Sequence, residues 1–190
     1  MKAGAALIVL SLLPGCGASP PVPDWKLNAS QALESFEREY LSGNTRNAEA
    51  DFARARTELA RTGREDLVAR AELVRCAVRT ASLEFDECPG FEALRAGAAA
   101  EELSYAQYLS GKGAYRGSEE PLSRLVAAGV KLKSGGIDPA AIDAAIDLAS
   151  AQGWRRPLLA WLGVQAKRAA DAGDGETAAR IRRRMALISG

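Results

Sequence analysis

Three cysteines, a run of carboxylates beside one of them, and a complete lack of histidine define the chemistry open to this 190-residue chain. Without histidine there is no Ser-His-Asp or Cys-His nucleophile, and the commonest zinc ligand is missing. Glu84, Asp86 and Glu87 stand in the stretch LEFDEC, next to Cys88. Paired carboxylates act as acid and base only where their surroundings drive their pKa values apart. Charges near a helix end are more simply solvated. Glu101, Glu102, Glu119 and Glu120 read as first-turn acids favoured by the helix dipole. No phosphate-cradling glycine loop, dinucleotide fingerprint, nucleophile elbow or S-x-x-K pair is present. The chain is therefore expected to be non-catalytic, with no cofactor and no metal. Twenty-five Lys and Arg against 24 Asp and Glu give no global basic character, so nucleic acid is not an expected partner.

Cys16 has the most informative surroundings. Lys2 precedes an apolar run at residues 3–13, too short for a spanning helix of roughly 20 residues but of signal-peptide length. The run ends in Leu13-Pro14-Gly15-Cys16 instead of an A-x-A-like site. This resembles the lipobox of bacterial lipoproteins, in which the cysteine is acylated and becomes the first mature residue. The resemblance implies a signal peptide over 1–15 and a membrane anchor on Cys16, since several acyl chains hold firmly where one holds marginally. Gly17 in place of Asp after the cysteine is similar to outer-membrane sorting, with the chain on the periplasmic face. An ordinary secretory signal that contains a cysteine is the alternative. Residues 16–27, rich in Gly, Ser and Pro at their start, read as a tether ahead of a domain over 28–190.

Cys76 and Cys88 remain, an even pair in a chain expected to reach an oxidising compartment. A disulfide between them would close a short loop, and two buried thiols are the alternative. Arg75 and Arg79 lie four apart on one helix, opposite its apolar stripe, placed to point into a groove as a fork for carboxylates. Arg180, Arg182, Arg183 and Arg184 form a basic run suited to an acidic partner, lipid headgroups or an anionic glycan, or simply to solvent. Of these, Arg75, Arg79, Arg182 and Arg183 are the candidate partner-binding residues.

The elements that would carry these residues are helices. No period-2 strand occurs, whereas 3.6-residue periodicity recurs. Ala29, Leu33, Phe36 and Tyr40 form one stripe, with Asn28 as N-cap and Gly43 as stop. Ala48, Phe52, Ala55 and Leu59 form a second, ended by Gly63, and Leu67, Ala71, Val74, Val78 and Ala81 a third. A broken helical region runs from Phe91 to Leu109, and a short helix contains Leu125 and Val126. Asp138 and Pro139 open the next helix, and two more follow, separated by Gly173. Trp154 and Trp161 read as core or staple residues, and Trp25 as either a staple or a membrane-interface residue. Seven to nine helices in antiparallel hairpins are expected.

Tyr40-x-x-Gly43 followed by Ala48, Phe52 and Ala55 resembles the tetratricopeptide repeat, with a fainter echo at Ala170, Gly173, Ala178 and Ile181. The resemblance implies a TPR-like α-solenoid, and an irregular helical bundle is the alternative. The whole plan resembles short lipoproteins of Gram-negative bacteria. The expected role is a lipid-anchored, non-catalytic scaffold or adaptor for another envelope protein. A helical carrier or sensor of a small ligand or glycan is the second reading. Metabolic labelling tests the anchor: the intact chain should take up labelled palmitate and sediment with membranes, and Cys16→Ala should do neither.

Overall fold

The computed structural model describes residues 21–115 and 117–190. Cys16, the expected signal peptide over 1–15 and residues 17–20 of the expected tether lie outside these residues. The described chain is all α, with no strand among the described residues. Its helices are α1 (Asp24–Ser42), α2 (Thr45–Ala60), α3 (Glu65–Ala81), α4 (Pro89–Glu92), α5 (Ala100–Leu109), α6 (Pro121–Lys133), α7 (Pro139–Ala151), α8 (Arg155–Asp171) and α9 (Gly175–Ser189), with one 3-10 turn (Arg95–Gly97) between α4 and α5. No described helix is long and apolar enough to cross a membrane.

Helix ends follow local chemistry. Gly43 takes a left-handed φ of 93°, and the Asn44 N–H turns back to the Glu39 carbonyl at 2.8 Å. The same turn recurs at Gly153 and Gly173, where Trp154 and Asp174 donate to Ala149 and Ala169. Asp138 accepts from the Ala141 N–H at 2.8 Å, with Pro139 preset for the first helical position. Asp174 caps α9 through the Thr177 N–H at 3.0 Å.

One boundary differs from expectation. Asn28 is not an N-cap, because α1 begins a full turn earlier at Asp24, with Pro23 in the cap position. The Pro23 carbonyl accepts the Lys26 and Leu27 N–H groups, and the Asp24 carboxylate favours the positive helix end. Trp25 packs against the same core as Ala29 and Phe36, so the apolar stripe extends back through what had read as tether.

Packing centres on α3. One face, with Val68, Ala71 and Val78, joins Phe36, Tyr40 and Phe52 of the α1–α2 hairpin. The other, with Ala69, Leu73, Cys76 and Ala77, joins α5 to α8 through Leu125, Ile142, Trp161 and Leu162. Trp161 is fully buried, and its indole N–H donates to the Ala81 carbonyl at 3.1 Å. Repeats in a solenoid touch only their neighbours. Here α8 packs on α1, so the chain closes into an irregular helical bundle and the first hairpin alone keeps the TPR-like packing of Tyr40, Ala48, Phe52 and Ala55.

α6 reaches α3 through Gly129. A Cβ there would stand 2.4 Å from the Thr80 carbonyl oxygen and 3.0 Å from its methyl group. Gly129→Ala should therefore lower stability by about 1–2 kcal/mol, because overpacking outweighs the ~1 kcal/mol helix-propensity gain. Gly163→Ala, whose Cβ would meet only the Met185 methyl at 3.9 Å, should be neutral or stabilising. Urea midpoints at constant slope check both.

Candidate functional site

Of the carboxylates in LEFDEC, Glu84 and Asp86 are engaged within the chain and Glu87 is exposed. Glu84 accepts from the Tyr40 hydroxyl at 2.7 Å and from Arg156 Nη1 at 3.1 Å. The Arg156 guanidinium lies 4.2 Å from the centre of the Tyr40 ring and donates to the Tyr40 carbonyl at 2.8 Å and to the Thr45 hydroxyl at 2.6 Å. Arg155 adds a bond to the Ser42 carbonyl at 3.2 Å. Burial and the hydrogen bond to Glu84 push the Tyr40 hydroxyl well above the usual phenol range. This phenol stays neutral and works as a donor that ties α1 to the chain after α3.

Cys76 and Cys88 are joined by a disulfide with Cα atoms 5.8 Å apart, linking the C-terminal half of α3 to the start of α4. The Asp86 carboxylate lies within 4.8 Å of both sulfurs, which in the disulfide are not thiolate ligands. It is otherwise engaged, accepting the Cys88 N–H at 2.9 Å and pairing with Arg79 at 3.2 Å.

Arg75 and Arg79 do not form an open fork. Because α3 is buried on both faces, each arginine meets a carboxylate of its own chain. Arg75 lies over the Phe52 ring at 4.9 Å and donates to Glu49 at 2.8 Å. Arg79 is held by Asp86 and, at 3.9 Å, Glu84. Sequence periodicity located both residues off the stripe but carries no record of which carboxylate a neighbouring helix brings.

The α9 arginines are placed differently. Arg180, Arg182, Arg183 and Arg184 are all exposed, and none lies within ion-pair distance of a carboxylate among the described residues. The helix buries Ala178 and Ile181, and Met185 and Ile188 pack inward as well. Leu187 stands outside with the arginines, 85% exposed. The result is an outward face where Arg180, Arg183 and Arg184 flank one apolar side chain, with Arg182 on the other flank of the helix.

Several concave features mark the surface of the described residues. A shallow groove of about 820 Å³ runs along the outer side of the α1–α2 hairpin. Its charges are answered locally, with Arg54 on Asp51 and Arg61 on Glu58. A smaller pocket of about 210 Å³ lies between α3, α5 and the loop after α5, walled by Tyr105 and Tyr115 with Arg70, Glu101 and Glu102 at its polar side. The sequence had presented Glu102 as a first-turn acid favoured by the helix dipole. The structure buries it to 4% exposure.

Glu37 on α1 faces this region. Burial, reinforced by Glu120 and Glu34, pushes its carboxyl up to about 7. A raised folded-state pKa adds stability that is complete below the unfolded value near 4.5 and is lost as pH rises through about 7. Glu37→Gln should accordingly be close to neutral at pH 4 and stabilising by about 1 kcal/mol at pH 8, a figure discounted for partial exposure, as urea unfolding at the two pH values would show. The chain matches no family model, no curated protein and no solved structure.

Proposed function

We propose that this chain is an outer-membrane lipoprotein, anchored through Cys16 on the periplasmic face, whose helical bundle is a non-catalytic adaptor for another envelope protein. The partner docks an acidic segment on the outer face of α9. The observation that carries this reading is the exposed face of α9, where Arg180, Arg183 and Arg184 flank the exposed Leu187 and make no ion pair among the described residues. Arginine forks bind carboxylates in pairs of parallel hydrogen bonds, and a central apolar side chain supplies the dry contact that charges alone lack. A lipid surface fits α9 less well. An interfacial helix lays its apolar side into the headgroups, whereas the apolar side of α9 is already packed inward on the bundle.

The tether supports the same reading. Seven residues lie between Cys16 and the start of α1 at Asp24, eight steps of chain that span at most about 27 Å when extended. A partner in the same membrane would meet the adaptor at raised effective concentration. A photo-crosslinker at Leu187 in native envelopes should yield one specific protein adduct. Arg183→Glu/Arg184→Glu should reduce that adduct at least tenfold. Raising ionic strength from about 0.1 M to about 1 M should weaken it too, as screening shortens to about 3 Å. An adduct indifferent to both charge and salt would overturn the docking face.

A further inference from the structure

The pocket between α3, α5 and the following loop shares no residue with α9 and has a chemistry of its own. Glu102 stands at its polar side. One of its oxygens accepts from Arg70 Nε at 2.7 Å, while the other, Oε2, is buried with no hydrogen-bond partner among the described residues. A buried carboxylate oxygen without a donor is costly, so the site is built for a group that donates to it. Arg70 also reaches Glu101, at 3.4 Å. Among the described lining residues, one guanidinium against two carboxylates gives a net negative charge.

Aromatic rings form the other wall. Tyr105 and Tyr115 meet edge to face with centroids 4.7 Å apart, and Tyr108 lies 5.4 Å from Tyr115. Ring faces attract cations, most strongly where water is excluded. Leu73 and Val74 supply an apolar strip along α3. At about 210 Å³ the space suits one headgroup and its stem, below the 300–1,000 Å³ typical of drug-sized ligands.

We propose that this pocket binds an alkylammonium group, the ammonium donating to Glu102 Oε2 beside the tyrosine rings and the methylene stem lying along Leu73 and Val74. A neutral sugar would satisfy the orphan oxygen but leave the negative lining unanswered. The headgroup has two sources, a free small amine or the side chain of a lysine in a partner chain. The chemistry is the same in both.

Titration of the folded protein with butylammonium chloride, followed by the tyrosine ring signals in NMR, tests the site. Saturable shifts at Tyr105 and Tyr115 are expected, with 1-butanol and sodium chloride at equal concentration producing none. Glu102→Gln keeps an acceptor for Arg70 and should weaken binding about tenfold or more. Tyr115→Ala removes one wall from a loop residue that is 40% exposed, so the fold survives even if Glu102→Gln does not, and it should weaken binding severalfold. Cadaverine and a blocked Gly-Lys-Gly peptide then separate the sources, the tighter of the two assigning the headgroup to free amine or side chain. Absence of saturation, equal response to butanol, or unchanged affinity in Tyr115→Ala overturns the site. Because α9 is untouched by these variants, that result leaves the adaptor reading standing.

Discussion

A helix buried on two opposite faces can carry polar side chains only along the narrow edges between them, and α3 imposes that constraint on the whole bundle. Alanines at 69, 71, 77 and 81 let the α1–α2 hairpin and the α5–α8 layer approach it from either side. Gly129 does the same for α6 at the level of Thr80. The larger side chains that fill the remaining space, Phe36, Phe52 and Trp161, come from the surrounding helices. Close approach therefore depends on small residues at the centre and bulk at the periphery.

Along the edges of α3, charge pairing takes over from packing. Arg56 meets Glu72 at 2.9 Å, Arg70 meets Glu102, Arg75 meets Glu49 and Arg79 meets Asp86. In the first two, the carboxylate is buried and the arginine half-exposed, so the guanidinium keeps its water while neutralising the desolvated acid. Removing one partner of such a pair costs more than the pair contributes, because the other is left buried and uncompensated. The pairs thus specify how α2 and α5 sit on α3 more than they stabilise the bundle. The arginines of α9 lie on a helix whose main packing partner is α8, away from these paired edges, and that leaves them exposed.

What the sequence made legible was local. Gly43, Gly153 and Gly173 stop helices through the backbone alone, and Asp138-Pro139 opens one for reasons contained in a few residues. The broken region from Phe91 to Leu109 was visible in the same way, since Gly97 interrupts it. The second face of α3 was not visible, because alanines give little hydrophobic contrast against a polar background. Arg156 was silent for a different reason: its partners Tyr40 and Thr45 lie more than a hundred positions away. Glu102 shows the same limit, as a first-turn position explains its charge but only the approach of Arg70 explains its burial. Pairwise chemistry between distant segments leaves no periodicity to read.

The clamp from α8 onto the α1–α2 turn also bears on the order in which the molecule can form. Contacts spanning 111 to 116 positions carry a loop-closure cost that local hairpins avoid, and they slow folding. A chain delivered amino end first would hold Tyr40 and Phe36 only partly covered until the last third arrives with Trp154, Arg155 and Arg156. The first hairpin, nearest the amino terminus, is thus among the last parts of the bundle to be finished.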